Sequence, residues 1–117
     1  MDRERLISAG IDYDEGVERF AGMAQIYEKY LVKFFDSYGI NELISQINAG
    51  DIETAFKTAH AIKGAAGNLS INLFYEKLCV LVELLRRSAP KEECAPLIGG
   101  VRKQYEIAAD AVREGRQ

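Results

Sequence analysis

Residues 51–69 read DIETAFKTAHAIKGAAGNL. Ile52, Ala55, Ala59, Ile62, Ala66 and Leu69 follow one another at spacings of 3, 4, 3, 4 and 3, which at ~3.6 residues per turn lines them along one narrow stripe of an α-helix. A stripe of that width is the seam of a helix bundle. Asp51 stands where an N-cap belongs, with Glu53 and Thr54 behind it. Advancing ~100° per residue places His60 about 130° from the centre of the seam, together with Glu53, Lys57, Gly64 and Gly67. His60 is therefore predicted to face solvent, with Lys63 one turn on along the same side.

The segments around this helix read the same way. The spacing predicts a short helix over 14–21, with Asp12 or Asp14 as cap and Gly22 as the stop, then a longer one over 23–38 in which Ile26, Tyr30, Leu31, Phe34 and Tyr38 recur at helical intervals. A helix over 41–49 carries Leu43, Ile44 and Ile47 and ends at Gly50, a good residue just past a helix end. Beyond the central helix, 71–87 offers Leu73 or Phe74, then Leu78, Leu81, Val82 and Leu85 for burial. The last helix is expected from Pro96, a comfortable first helical residue, to Arg113, through Leu97, Val101, Tyr105, Ala108 and Val112, with Gly99 and Gly100 weakening its start. No alternating run of β-branched residues suggests a sheet. The expected fold is all-α: one domain over 1–117, an antiparallel up-down four-helix bundle from the helices beginning near 41, 51, 71 and 96, with an additional short N-terminal helix or helices and the 23–38 helix continuing or capping it.

Composition narrows the function. The 117 residues include 15 Lys and Arg and 18 Asp and Glu, mixed along the chain for a net charge of −3, so no basic face advertises nucleic acid. The N-terminus MDRERLISAG has no apolar stretch long enough for a signal peptide or a membrane span; a soluble cytoplasmic protein, monomeric, is expected. Cys79 and Cys94 lack CxxC spacing, and with a single histidine the chain has no ligand set for a structural metal. The two cysteines are read as reduced thiols. The Met1 start and domain-sized end at Gln117 are what a free-standing protein would show, although a piece of a longer protein would look the same.

The run Gly64-Ala65-Ala66-Gly67 mixes glycine with alanine inside the helix, although each interior glycine costs about 1 kcal/mol relative to alanine. Something is expected to approach the backbone beside His60. A metal or haem site would need further ligands, Ser-His-Asp hydrolysis would need a GxSxG turn, and ATP binding would need a GxxxxGK[ST] loop; the sequence has none of these. Free imidazole titrates near ~6.5, so a solvent-facing histidine is a competent nucleophile at neutral pH, and a neighbouring ammonium suits an incoming phosphoryl group.

The stretch AHAIKGAAGNLS at 59–70 resembles the signature of histidine-containing phosphotransfer (HPt) domains, AHxLKGxxxxxG in outline. GIDYDEGVERFAG at 10–22, the following IYEKYLVKFF, INAGDIETAFKTAH leading into His60 and LVELLRR at 81–87 also resemble that family in its order, so the resemblance covers about 10–113. It implies a phosphoryl carrier of two-component phosphorelays that is not itself a kinase, binds no cofactor and meets receiver domains of response regulators, which bring their own magnesium. By the same resemblance His60 is the phosphoacceptor, Lys63 holds phosphoryl oxygens, Gly64 admits the partner's aspartate pocket and Gly67 keeps the groove open. Ser70 departs from the family outline, which has glycine there.

Docking is expected around this stripe, on Gly64, Gly67, Phe56 and Lys57. Ile11, Val17 and Phe20 are read either as further docking residues or as a lid on the core, and Tyr27, Tyr30, Phe34 and Phe35 mainly as core. Two alternative functions stay open: an HPt segment of a larger hybrid histidine kinase, and a receiver-binding bundle without phosphotransfer.

Overall fold

Asp51 starts the central helix as the spacing implies: its carboxylate accepts from the Thr54 amide at 3.4 Å, pairing one of the donors that a first helical turn leaves free. In the computed structural model, which describes residues 1–115, the regular structure is α1 (Arg3–Ser8), α2 (Tyr13–Arg19), α3 (Ala24–Ser37), α4 (Asn41–Asn48), α5 (Ile52–Asn68), α6 (Asn72–Arg86) and α7 (Lys91–Glu114). Arg116 and Gln117, the end of the expected 1–117 domain, lie outside the described residues. No strand occurs among the described residues.

The seam lies where its period puts it. Ala55, Ala59, Ile62, Ala66 and Leu69 are buried and Ile52 is half-buried. α4 packs on α5, α5 on α6, α6 on α7, and α7 returns to both α3 and α4, so the ring of helices closes into the expected bundle. Short turns between successive helices make the neighbours antiparallel. α7, with 24 residues, is about 36 Å long at ~1.5 Å per residue and spans most of the 41 Å long axis.

The helix α5 ends in a Schellman turn. The Ile71 amide donates to the Ala66 carbonyl at 3.1 Å and the Ser70 amide to the Gly67 carbonyl at 3.2 Å, while Ser70 takes φ = +56°, a left-handed conformation that glycine adopts at no steric cost. The family outline places glycine at this point of the turn. Tyr27 of α3 closes over it: its fully buried ring donates through Oη to the Leu69 carbonyl at 2.6 Å, and burial pushes its phenol well above the ordinary range. The same ring lies 5.7 Å from Tyr13 and 5.5 Å from Phe20, centroid to centroid, and rests on Gly16 of α2, where a Cβ would overlap it.

Several expectations need correction. The last helix begins at Lys91 rather than Pro96, which lies inside it. Glu92 and Glu93 occupy its first turn, where carboxylates favour a helix start, and fully buried Cys94 anchors that turn in the core. Packing here outweighs the backbone hydrogen bond that Pro96 cannot donate. Ile26 and Tyr30 are 40% and 44% exposed, because α3 buries the stripe Tyr27, Leu31, Phe34 and Phe35 instead. Phe74, not Leu73, is the core residue at the start of α6. Ile11 is buried, and Val17 and Phe20 are half-buried against the core, the packing that a lid on the core requires. The short helix α1 was not resolved by periodicity; Asp2 caps it by accepting from the Arg5 amide at 3.1 Å, and buried Leu6 and its packing on α7 hold it.

Gly16→Ala should therefore separate α2 from α3, lowering unfolding free energy by about 1–3 kcal/mol, the usual range for overpacking. The midpoint of urea unfolding reads this directly, and an unchanged midpoint would show that the Tyr27 ring has room to yield.

Candidate functional site

His60 stands on the exposed side of α5, between buried Ala59 and Ile62 of the seam. Phe56, one turn earlier, tilts its ring against the imidazole at 5.6 Å between centroids and 45° between planes. Beside His60 an open trough of about 380 Å³ runs along the helix. Lys63, Gly64 and Gly67 line it with His60 as expected, and four further residues join them: Asn68, Asn72 and Tyr75 from the end of α5 and from α6, and Arg19 from the end of α2.

The two glycines differ in what they leave open. A Cβ at Gly64 would meet nothing within 4 Å, so the helix surface there is bare backbone facing solvent. A Cβ at Gly67 would come within 3.0 and 3.2 Å of Tyr75 ring carbons, which makes Gly67 the seat of that ring rather than simply a clearing. Tyr75 in turn lies under the Lys63 ammonium, with Nζ 5.9 Å from the ring centroid, a contact worth about 0.5–1 kcal/mol at an exposed site. Lys63 also acts on Glu83 of α6. That carboxyl sits below its ordinary range, first because Arg86 hydrogen-bonds it and then through the charges of Arg86, Arg87 and Lys63.

The trough's polar lining consists of two cations, two amide side chains, a phenol and the imidazole; no carboxylate lines it among the described residues. The charge of such a lining favours an anion over a cation. Among the described residues no group of three or more His, Cys, Asp or Glu side chains gathers where a metal ion would be held, and both cysteines are free thiols. No helix of the described residues is long and apolar enough to cross a membrane.

Two residues expected at the docking face lie outside the trough. Phe56 is half-buried against the core. Lys57 is exposed and pairs with Glu53 at 3.7 Å. Sequence reasoning missed Arg19, Asn68, Asn72 and Tyr75. Asn68 carried a local signal, lying within the motif and one residue past Gly67. Arg19 carried none, because a helix distant in sequence brings it.

The chain is thus an all-helical bundle with a solvent-facing histidine in a cation-lined trough. The sequence model of the Hpt domain family matches residues 19–115, and the chain belongs to that family. Hpt domains are phosphocarriers that act with receiver domains in histidine phosphotransfer and carry no kinase domain. Comparison with curated proteins and with solved structures finds no match.

The different surroundings of the two glycines give a prediction. Gly64→Ala should raise unfolding free energy by about 0.4–1 kcal/mol, since its methyl group enters open space and helix propensity improves. Gly67→Ala should gain less, because Tyr75 has to give way. Paired urea melts compare them; equal gains would mean that Tyr75 moves freely.

Proposed function

We propose that this chain is a histidine phosphotransfer intermediary, with His60 as the residue that accepts a phosphoryl group from the aspartate of a response-regulator receiver domain and donates it onward. The observation that carries the reading is an exposed lone histidine in a trough lined by Lys63 and Arg19 and by no carboxylate among the described residues. In the forward step a ring nitrogen of His60 directs its lone pair at phosphorus. A P–N bond forms as the P–O bond to the receiver's aspartate breaks, and the aspartate leaves as a carboxylate. The proton on the other ring nitrogen takes no part in the displacement.

Lys63 meets charge on the phosphoryl oxygens, and its effect is larger in a shared site from which water is displaced than at an open surface. Gly64 leaves bare the backbone against which the receiver's pocket approaches. Magnesium bound on the receiver supplies further charge neutralisation; this chain brings no cofactor. Catalysis of this kind is positioning and charge neutralisation. The partner is a receiver domain, free or part of a hybrid kinase, the carrier works as a monomer, and the cytoplasm is where it is expected.

Incubation with a phosphorylated cognate receiver should place an acid-labile, alkali-stable label on the chain, and His60→Gln should abolish it. Label that persists in His60→Gln rejects the assignment. Lys63→Ala should slow single-turnover transfer about 10-fold, equivalent to ~1.4 kcal/mol of transition-state stabilisation, with little change in melting temperature. Gly64→Arg should block transfer while circular dichroism shows a folded bundle; a folded variant that takes phosphate at the unmutated rate would mean that the receiver does not approach there.

A further inference from the structure

The trough beside His60 has a wall that the AHAIKGAAGNLS motif does not supply. Arg19, the last residue of α2, lines it together with His60 and Lys63. Its Nε lies 3.6 Å from Glu15 Oε1, one turn earlier on the same helix. That carboxylate oxygen also accepts from Ser70 Oγ at 2.7 Å. Ser70 is fully buried and sits at φ = +56° in the turn that ends α5. A residue with a Cβ is strained in that conformation, whereas glycine is at ease there. Serine is present all the same, and its hydroxyl is the group that reaches Glu15. The chain thus links the end of the helix bearing His60, through Ser70 and Glu15, to the Arg19 guanidinium in the trough.

We propose that Arg19 is a second phosphoryl-binding cation of this site, with Glu15 and Ser70 as the positioning residues that hold it. This rests on the reading of His60 as phosphoacceptor. A guanidinium has five N–H donors in a planar fork, so one carboxylate contact at Nε leaves donors for phosphoryl oxygens. Among the described residues no other ion pair engages Arg19. During transfer Arg19 makes and breaks no covalent bond and keeps its proton. It donates hydrogen bonds to the oxygens of the phosphoryl group while the P–N bond to His60 forms and the P–O bond to the receiver's aspartate breaks. The two cations differ in their surroundings: Lys63 extends over the Tyr75 ring at 5.9 Å, whereas Arg19 lies 3.6 Å from a carboxylate that a buried hydroxyl hydrogen-bonds.

The test is single-turnover transfer at saturating phospho-receiver, with receiver affinity and urea unfolding measured on the same proteins. Arg19→Ala should slow transfer about 10-fold at unchanged receiver affinity, the scale expected for a charge-assisted contact made in the transition state. Arg19→Lys should recover part of the rate, because it returns the charge but not the fork. Ser70→Gly is the most telling variant. It suits the backbone, and the buried hydroxymethyl group it removes is the one that reaches Glu15, so transfer should slow about two- to fourfold while relief at the left-handed backbone keeps the unfolding midpoint nearly level, and Glu15→Gln should slow transfer likewise. Several results overturn the proposal: an unmutated rate in Arg19→Ala, rate losses that simply follow losses of stability across the variants, or a weaker receiver affinity with an unchanged saturating rate. If the unmutated chain takes no label on His60, the phosphoacceptor reading fails and this inference with it; normal labelling that ignores Arg19 overturns this inference alone.

Discussion

A single buried hydrogen bond, from Tyr27 Oη to the Leu69 carbonyl at 2.6 Å, governs how the ends of three helices meet. The carbonyl belongs to the last turn of α5, where helix geometry provides no intrahelical partner, and an unpaired buried carbonyl would cost about 1–3 kcal/mol. Supplying that partner brings α3 across the end of α5. The phenol ring, once there, needs a flat surface, which Gly16 provides on α2. α2 is thereby laid beside the turn at Ser70, and its last residue, Arg19, enters the trough that holds His60. The N-terminal helices are in this sense part of the site, although none of their residues belongs to the histidine motif.

The helix α5 divides its two tasks between two faces. Alanines at 55, 59 and 66 and the isoleucine at 62 turn inward and are essentially inaccessible. His60, Lys63, Gly64 and Gly67 turn toward the trough. A nucleophile presented on a packed helix is held more firmly than one on a loop, as positioning chemistry requires. The glycines lower helix propensity on the outer face alone, and the packed inner face offsets that loss, since tertiary packing supplies most helix stability in proteins.

The electrostatic character of the trough follows from where carboxylates are absent. Of the acids near its cations, Glu15 is occupied by Ser70 and Arg19, and Glu83 is held by Arg86 and Arg87. None lines the trough itself. A chain of net charge −3 thus presents a cationic spot at its histidine, the arrangement that a phosphoryl group needs and that overall composition conceals.

Periodicity by itself determined the seam of α5, the solvent-facing side of His60 and the company of Lys63, Gly64 and Gly67, because residues within two turns of one helix are placed by local geometry alone. It determined the all-α class for the same reason, and amphipathic helices joined by short turns implied the bundle. Only the tertiary structure decided the start of α7 at Lys91, where burial of Cys94 overrides Pro96, and the existence of α1, too short to stand without α7. It also decided which side of α3 is buried, exposing Tyr30, since a helix rich in aromatics offers more than one apolar stripe. The left-handed turn at Ser70, the seating of Tyr75 on Gly67 and the arrival of Arg19 depend on contacts between segments far apart in the chain, and no local repeat encodes which distant residue fills a space.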